Sequence, residues 1–426
     1  CAKISSLLMF QKDNSNIDTS VYVAVGDSIT TGYTNAALYQ EGQLNCFANF
    51  LSAQFKLIGG GEFKQPLMNE NSVGIGFYGN ARMVLDQKTK DGHNLQPSYL
   101  APNGDLLAFT ENVFEKQGPF NNMSVPSAKL TSLVIPGVGN PHNGFGNFNP
   151  FFTRMASNPA TASILSDVLA LNPTFFTLYI GNNDILTYAS MGGTFDKITP
   201  LEGGIGEGFI SSLKEIVNEL TKNGAKGVIA NIGDITSIPY FTVIPYNGLI
   251  LDVNEIDEYN SLYKENGITF NTGENAFIVN DPKTGIRQLE KDELVILEIQ
   301  LDPEKEKYLT GKTPIPKKYF LNKSEISEIQ KAVSSYNDAI QLIAKEKNIG
   351  LVDVHAFSKT LKHEINYSHK DMCAIYSSNC VFSLDGLHLN SFGQAILANI
   401  FIKTINSFYH TNVELVDAMH YKSELI

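Results

Sequence analysis

Val21-Tyr22-Val23-Ala24-Val25-Gly26-Asp27-Ser28 decides how this chain folds. Five consecutive apolar residues, three of them valine, suit a strand buried on both faces, as strands of a parallel sheet are. The run breaks at Gly26-Asp27-Ser28, a strand-to-helix turn. The same grammar recurs downstream. Phe175 to Ile180 reads as a strand that ends at Gly181-Asn182-Asn183-Asp184. Val228 to Ile232 and Gly350 to Val354 read as two more. Between them lie helices. Ala162 to Leu171 is one. Glu207 to Lys222 is another, with Phe209, Ile210, Leu213, Ile216, Val217 and Leu220 at helical spacing and Gly224 past its end. Asn322 stands three residues before Glu325, a capping box, and Ile326, Ile329, Val333, Tyr336, Ile340 and Ile343 follow in steps of three and four. Asn390 to Phe408 is the last helix. Strands alternating with helices predict a parallel sheet covered on both faces, with the chemistry at the carboxyl ends of its strands.

The intervening segments are less regular. Residues 60–120 are rich in Gly, Asn and Pro and read as irregular structure. From 240 to 321 charge rises and periodicity fades, with short strand-like runs such as Leu294 to Leu301; this is an insertion or cap within the domain. The core is then 20–239 with 322–426. The 426 residues carry 32 basic and 44 acidic side chains, a net −12, which argues against a nucleic-acid binder. No window offers the roughly 18 uninterrupted apolar residues of a membrane-spanning helix.

Four cysteines are present: Cys1, Cys46, Cys373 and Cys380. A chain that opens on Cys, with a polar stretch from Gln11 to Ser20, reads as a bacterial lipoprotein. Cys1 would carry the lipid and residues 1–19 would be its tether. That compartment is oxidising, so a Cys373–Cys380 disulfide is expected just ahead of Asp385, with Cys46 left as a buried thiol. The alternative is two reduced cysteines packed as small hydrophobes.

Three short motifs fall where a site should be. Ser28 sits at a tight turn entering a helix N-terminus, where a serine is either a cap or an exposed hydroxyl near a positive dipole end. Asn183 follows a strand, where asparagine usually serves a turn. Asp385-Gly386-Leu387-His388 sets a carboxylate three residues before a histidine. If the backbone turns, the carboxylate reaches the imidazole Nδ1 and leaves Nε2 for a serine hydroxyl.

In this order the motifs resemble the SGNH, or GDSL-like, hydrolase family. Gly26-Asp27-Ser28-Ile29 is similar to its nucleophile block, Gly181-x-Asn183-Asp184 to its third block and Asp385-x-x-His388 to its last. The resemblance covers residues 20–235 and 322–408. It implies a three-layer α/β/α, flavodoxin-like fold and ester hydrolysis. Ser28 would be the nucleophile, His388 the base and Asp385 the orienting carboxylate. The oxyanion hole would comprise the Ser28 N–H, the Asn183 amide and a backbone N–H from a glycine block. That block departs here: Asn122-Met123-Ser124-Val125-Pro126-Ser127 puts Ser127 where glycine is expected, and serine tolerates positive φ poorly. Gly137 and Gly139 are rivals in worse register. The opening motif, Gly59-Gly60-Gly61 with Gln65-Pro66-Leu67-Met68, and Phe382 to His388 also resemble lipid-anchored SGNH proteins of Bacteroidota. This implies an outer-membrane lipoprotein, with a β-barrel transporter as a possible partner.

No metal or cofactor is expected: no His-x-x-x-His pair occurs, and His355, His363 and His369 are 8 and 6 apart. The resemblance implies an acyl-ester substrate, of a lipid or of an acetylated glycan. Phe145, Phe148, Phe151 and Phe152 either line an acyl groove or pack as core or lid. A non-catalytic accessory lipoprotein using the insertion as an interface is the alternative of a different class.

Overall fold

The computed structural model describes residues 16–86, 96–144, 146–361 and 380–422. Cys1 and Cys373, and with them the lipid attachment and the Cys373–Cys380 pairing, lie outside the described residues, as does Phe145. Four parallel strands make the central sheet: β1 (Tyr22–Gly26), β2 (Phe175–Tyr179), β3 (Lys226–Ala230) and β4 (Gly350–Val352), side by side in that order. Ala24 lies opposite Thr177, Thr177 opposite Val228, and Ile229 opposite Leu351. A further stretch extends the sheet beyond β1. The Ala24 N–H donates to the Asn121 carbonyl (2.9 Å), Met123 N–H to Ala24 (2.9 Å) and Val125 N–H to Gly26 (3.0 Å). Asn121–Val125 therefore runs parallel to β1 as a fifth, irregular member, which gives the flavodoxin-like order with β1 inside.

Each strand shows alternate residues to opposite layers. Val23, Val25, Phe176, Leu178 and Ile229 share one core with α4 (Phe209–Thr221) and α5 (Lys323–Lys347). Tyr22, Ala24, Phe175, Tyr179, Val228, Ala230 and Val352 share the other with α2 (Phe47–Lys56) and α6 (Ser391–Tyr409). The fold is thus a three-layer α/β/α sandwich. Full burial of a side chain such as Leu213 or Phe401 contributes about 1.5–3 kcal/mol. The Phe209 and Tyr336 rings stack at 3.8 Å between α4 and α5. The two remaining labelled helices, α1 (Ser28–Thr31) and α3 (Asn183–Ala189), begin directly after β1 and β2.

Residues 244–320 have a core of their own, from Ile244 and Leu249 through Tyr259 and Ile278 to Phe320, built on short two- and three-stranded sheets. Leu294–Leu301, read as one strand-like run, divides. Leu294–Val295 pairs with Phe320–Leu321, and Leu297–Leu301 coils into a 3₁₀ turn. The buried residues Val295, Ile296, Leu297 and Ile299 do not alternate, so an extended strand could not seat them all. The packed body begins inside the expected tether: Ile17 and Thr19 are buried, and Gly61 N–H donates to the Thr19 carbonyl. Among the described residues of 60–120, read as irregular, Met83–Asp86 pairs antiparallel with Gln96–Tyr99, and Leu106–Phe109 and Phe114–Gln117 form short helical turns. Phe151 and Phe152 are buried, and the Phe151 ring packs edge-on against Tyr33 (6.3 Å) and Phe77 (5.7 Å). Cys46 is buried, and burial pushes its thiol up to about 12. Among the described residues no helix is long and apolar enough to cross a membrane.

Candidate active site

The turn after β1 works because Gly26 has no side chain. A Cβ there would stand 2.6 Å from the Tyr179 carbonyl oxygen and 2.2 Å from Thr30 Oγ1. The helix cap falls to Asp27, whose Oδ1 accepts the Ile29 N–H (3.0 Å). Ser28 is thereby freed from capping and becomes the first residue of α1.

The Asp385 loop arrives from the far end of the chain. Phe382 and Leu389 bridge in antiparallel fashion, and Ser383 N–H donates to the His388 carbonyl (2.7 Å). Gly386 supplies a φ of +69° at the tip. Asn390 fixes the exit: its Oδ1 caps α6 by accepting Gly393 N–H, and its Nδ2 donates to the Cys380 and Phe382 carbonyls.

These two loops meet. His388 Nε2 lies 2.9 Å from Ser28 Oγ, and His388 Nδ1 lies 2.9 Å from Asp385 Oδ2. Ser28 is 5% exposed and His388 4%. Asp385 accepts from four further donors: the Ala36 N–H on Oδ2, and the Leu387 N–H, His388 N–H and Ser383 Oγ on Oδ1. Burial alone would raise its pKa. The His388 charge and the donors beside it outweigh burial and hold the carboxyl at about 2, so it is ionised at neutral pH.

The third and second blocks also converge here. The Asn183 side-chain amide donates one proton to the Ala128 carbonyl (3.0 Å), leaving its second N–H for another acceptor. Val125-Pro126-Ser127-Ala128 forms a turn closed by Ala128 N–H to the Val125 carbonyl (3.1 Å), with Ser127 at φ +61°. Ser127 takes the left-handed backbone that glycine favours. The register of Val125 on Gly26 carries this turn beside Ser28. Among the described residues, the N–H groups of Ser28 and Ser127 donate to no partner.

Several contributors escaped sequence reading. Ser383 Oγ donates to Asp385 and accepts the Asn35 N–H (2.9 Å). Asn35 and Ala36, at φ 51° and 60°, form a tight turn between Thr34 and Ala37 that aims both N–H groups at this loop. Tyr33 packs against the His388 ring at 4.7 Å and stacks on Phe77 at 4.6 Å. Asp27 Oδ2 accepts the Asn182 amide (3.0 Å) and so ties the first block to the third; burial pushes this carboxyl up to about 6. Serine in Phe382 to His388 was in plain view, but nothing local in Asn35-Ala36 marks a turn with both residues at positive φ.

A parallel α/β/α sandwich with a serine, a histidine and an aspartate gathered at its strand ends points to one class: an ester hydrolase. The GDSL-like lipase/acylhydrolase family model matches residues 22–401, and the chain belongs to that family. It is similar in structure to an α/β hydrolase enzyme from the metagenome of Lake Arreo, at 12% identity and a TM-score of 0.36, covering 92% of this chain and 97% of that one. It is also similar to an acetylxylan esterase from Geobacillus stearothermophilus, at 13% identity and TM-score 0.37, covering 91% and 95%. A third likeness is to a protein described as a GDSL-like lipase from Parabacteroides merdae, at 12% and 0.33, covering 91% and 96%. No curated protein matches the chain.

Proposed function

We propose that the chain hydrolyses acyl esters through Ser28, His388 and Asp385. The observation that carries this reading is the unbroken hydrogen-bonded chain from Ser28 Oγ through both imidazole nitrogens to Asp385. Ser28 Oγ attacks the ester carbonyl carbon while His388 Nε2 takes its proton. The ionised Asp385 holds the Nδ1–H tautomer and stabilises the imidazolium that forms. The carbonyl oxygen becomes an oxyanion received by the Ser28 N–H, the Ser127 N–H and the free proton of the Asn183 amide; one such donor is worth about 10²–10³ in kcat. His388 then returns the proton to the departing alkoxide, leaving an acyl-serine. Water repeats the sequence, giving the carboxylic acid and free Ser28.

The same contact weighs against a non-catalytic accessory role, since a scaffold needs no serine aimed at a buried imidazole. Ser28→Ala should lower turnover of p-nitrophenyl acetate by about 10⁴ or more while leaving the melting temperature near that of the parent. Turnover unchanged by the substitution would overturn the reading.

A further inference from the structure

The turn that carries Ser127 has a weakness. Pro126 has no N–H, Ser127 donates to no described residue, and one backbone hydrogen bond closes the loop. Proline at the second position and a positive φ at the third make it a type II turn. With serine in that third position, a type I turn is the easier alternative, because it asks for no left-handed residue. The two turns differ by a flip of the peptide between Pro126 and Ser127. The flip would swing the Pro126 carbonyl to one side and the Ser127 N–H to the other.

One side chain grips that peptide. Asn149 Nδ2 donates to the Pro126 carbonyl (2.8 Å) and to Ser127 Oγ (3.2 Å). Its Oδ1 is occupied on the opposite side, accepting Phe151 N–H (3.0 Å) and Phe152 N–H (3.3 Å) at the start of the Pro150–Met155 helix. Phe151 and Phe152 are buried, so the grip is anchored in the core. Downstream, Asn183 Nδ2 holds the Ala128 carbonyl and Asp184 Oδ2 accepts Leu130 N–H (2.7 Å), which fixes the chain after the turn but not the peptide that can flip.

We propose that Asn149 is a positioning residue. It locks the Pro126–Ser127 peptide in the orientation that presents the Ser127 N–H to the oxyanion, and so supplies from outside the preference that a glycine at 127 would carry in its own backbone. This rests on reading Ser127 as an oxyanion donor.

The test is a cycle of four proteins: the parent, Asn149→Ser, Ser127→Gly and the double variant. Serine at 149 still caps the helix but is too short to reach Pro126. Each is assayed for kcat and KM on p-nitrophenyl acetate and for melting temperature. Asn149→Ser should lower kcat by about ten- to a hundredfold in the parent, with KM changed by less than about threefold. Against Ser127→Gly, whatever level that protein sets, the same substitution should cost less than about threefold, because glycine holds the type II turn unaided. Equal losses in both backgrounds, or no loss in the parent, would overturn the proposal. Failure of the catalytic reading is seen separately, as Ser28→Ala turning over like the parent. The clamp is then judged by melting temperature alone: a destabilisation by Asn149→Ser that shrinks in the glycine background supports it, and one of equal size refutes it.

Discussion

At the scale of single residues, the site is a set of committed hydrogen bonds around one carboxylate. Asp385 receives five donors, and each removes freedom from the imidazole it orients. Ser383 is the most informative one to remove, because its hydroxyl serves Asp385 and the Asn35 N–H together. Ser383→Ala should destabilise the protein by about 1–3 kcal/mol in urea unfolding, since it leaves a backbone donor without its acceptor. It should also lower kcat by roughly tenfold with KM nearly unchanged, through looser placement of His388. A change in KM alone would show that Ser383 touches substrate and does not position the histidine.

At the scale of elements, what was legible was what is locally encoded. The capping box at Asn322 and Glu325 is present in both directions, at 3.1 and 2.9 Å, and α5 starts where that pair directs. Asn322→Ala should cost about 1 kcal/mol in stability and leave turnover unaltered, as read by thermal melting and an ester assay. The strands β1 to β3 were readable for a similar reason: apolar runs bounded by glycine and asparagine. Asn121–Val125 was not readable as a sheet neighbour. Three backbone bonds to β1 make it one, and such pairing leaves no side-chain period. The block around Ser127 was found by resemblance, and its positive φ followed from the glycine expected there; Asn149 was not found, because 22 residues separate it from its partner and no spacing links them. The Asp385–His388 pair was visible because a separation of three is short enough for a turn to close, whereas the Asn35-Ala36 turn that supports it depends on a contact 349 residues away.

At the scale of the whole molecule, buried carboxylates set the response to pH. Asp27 and Asp184 are each pushed by burial from 3.8 to about 6. Between those values the folded protein holds protons the unfolded chain has released, so stability falls as pH rises from about 4 to about 6 and then levels. Two such shifts are worth on the order of 3 kcal/mol each. Asp385 acts in the opposite sense. Its carboxyl is held at about 2, so the stability it contributes is present above about 4 and is lost as pH falls toward 2. Asp27→Asn should therefore flatten the part of the pH response between 4 and 6 that this carboxyl sets; urea midpoints of the parent and the variant across pH 3 to 8 check it. The same pH dependence in parent and variant would contradict the burial of a titrating Asp27.

The central claim, that Ser28 is a nucleophile activated by His388, is tested most directly by a fluorophosphonate probe and mass mapping of the labelled peptide. The expected result is a single phosphonylated serine at Ser28, with labelling lost in His388→Ala. Label on a different serine, or no label on a protein that still turns over p-nitrophenyl acetate, would contradict it.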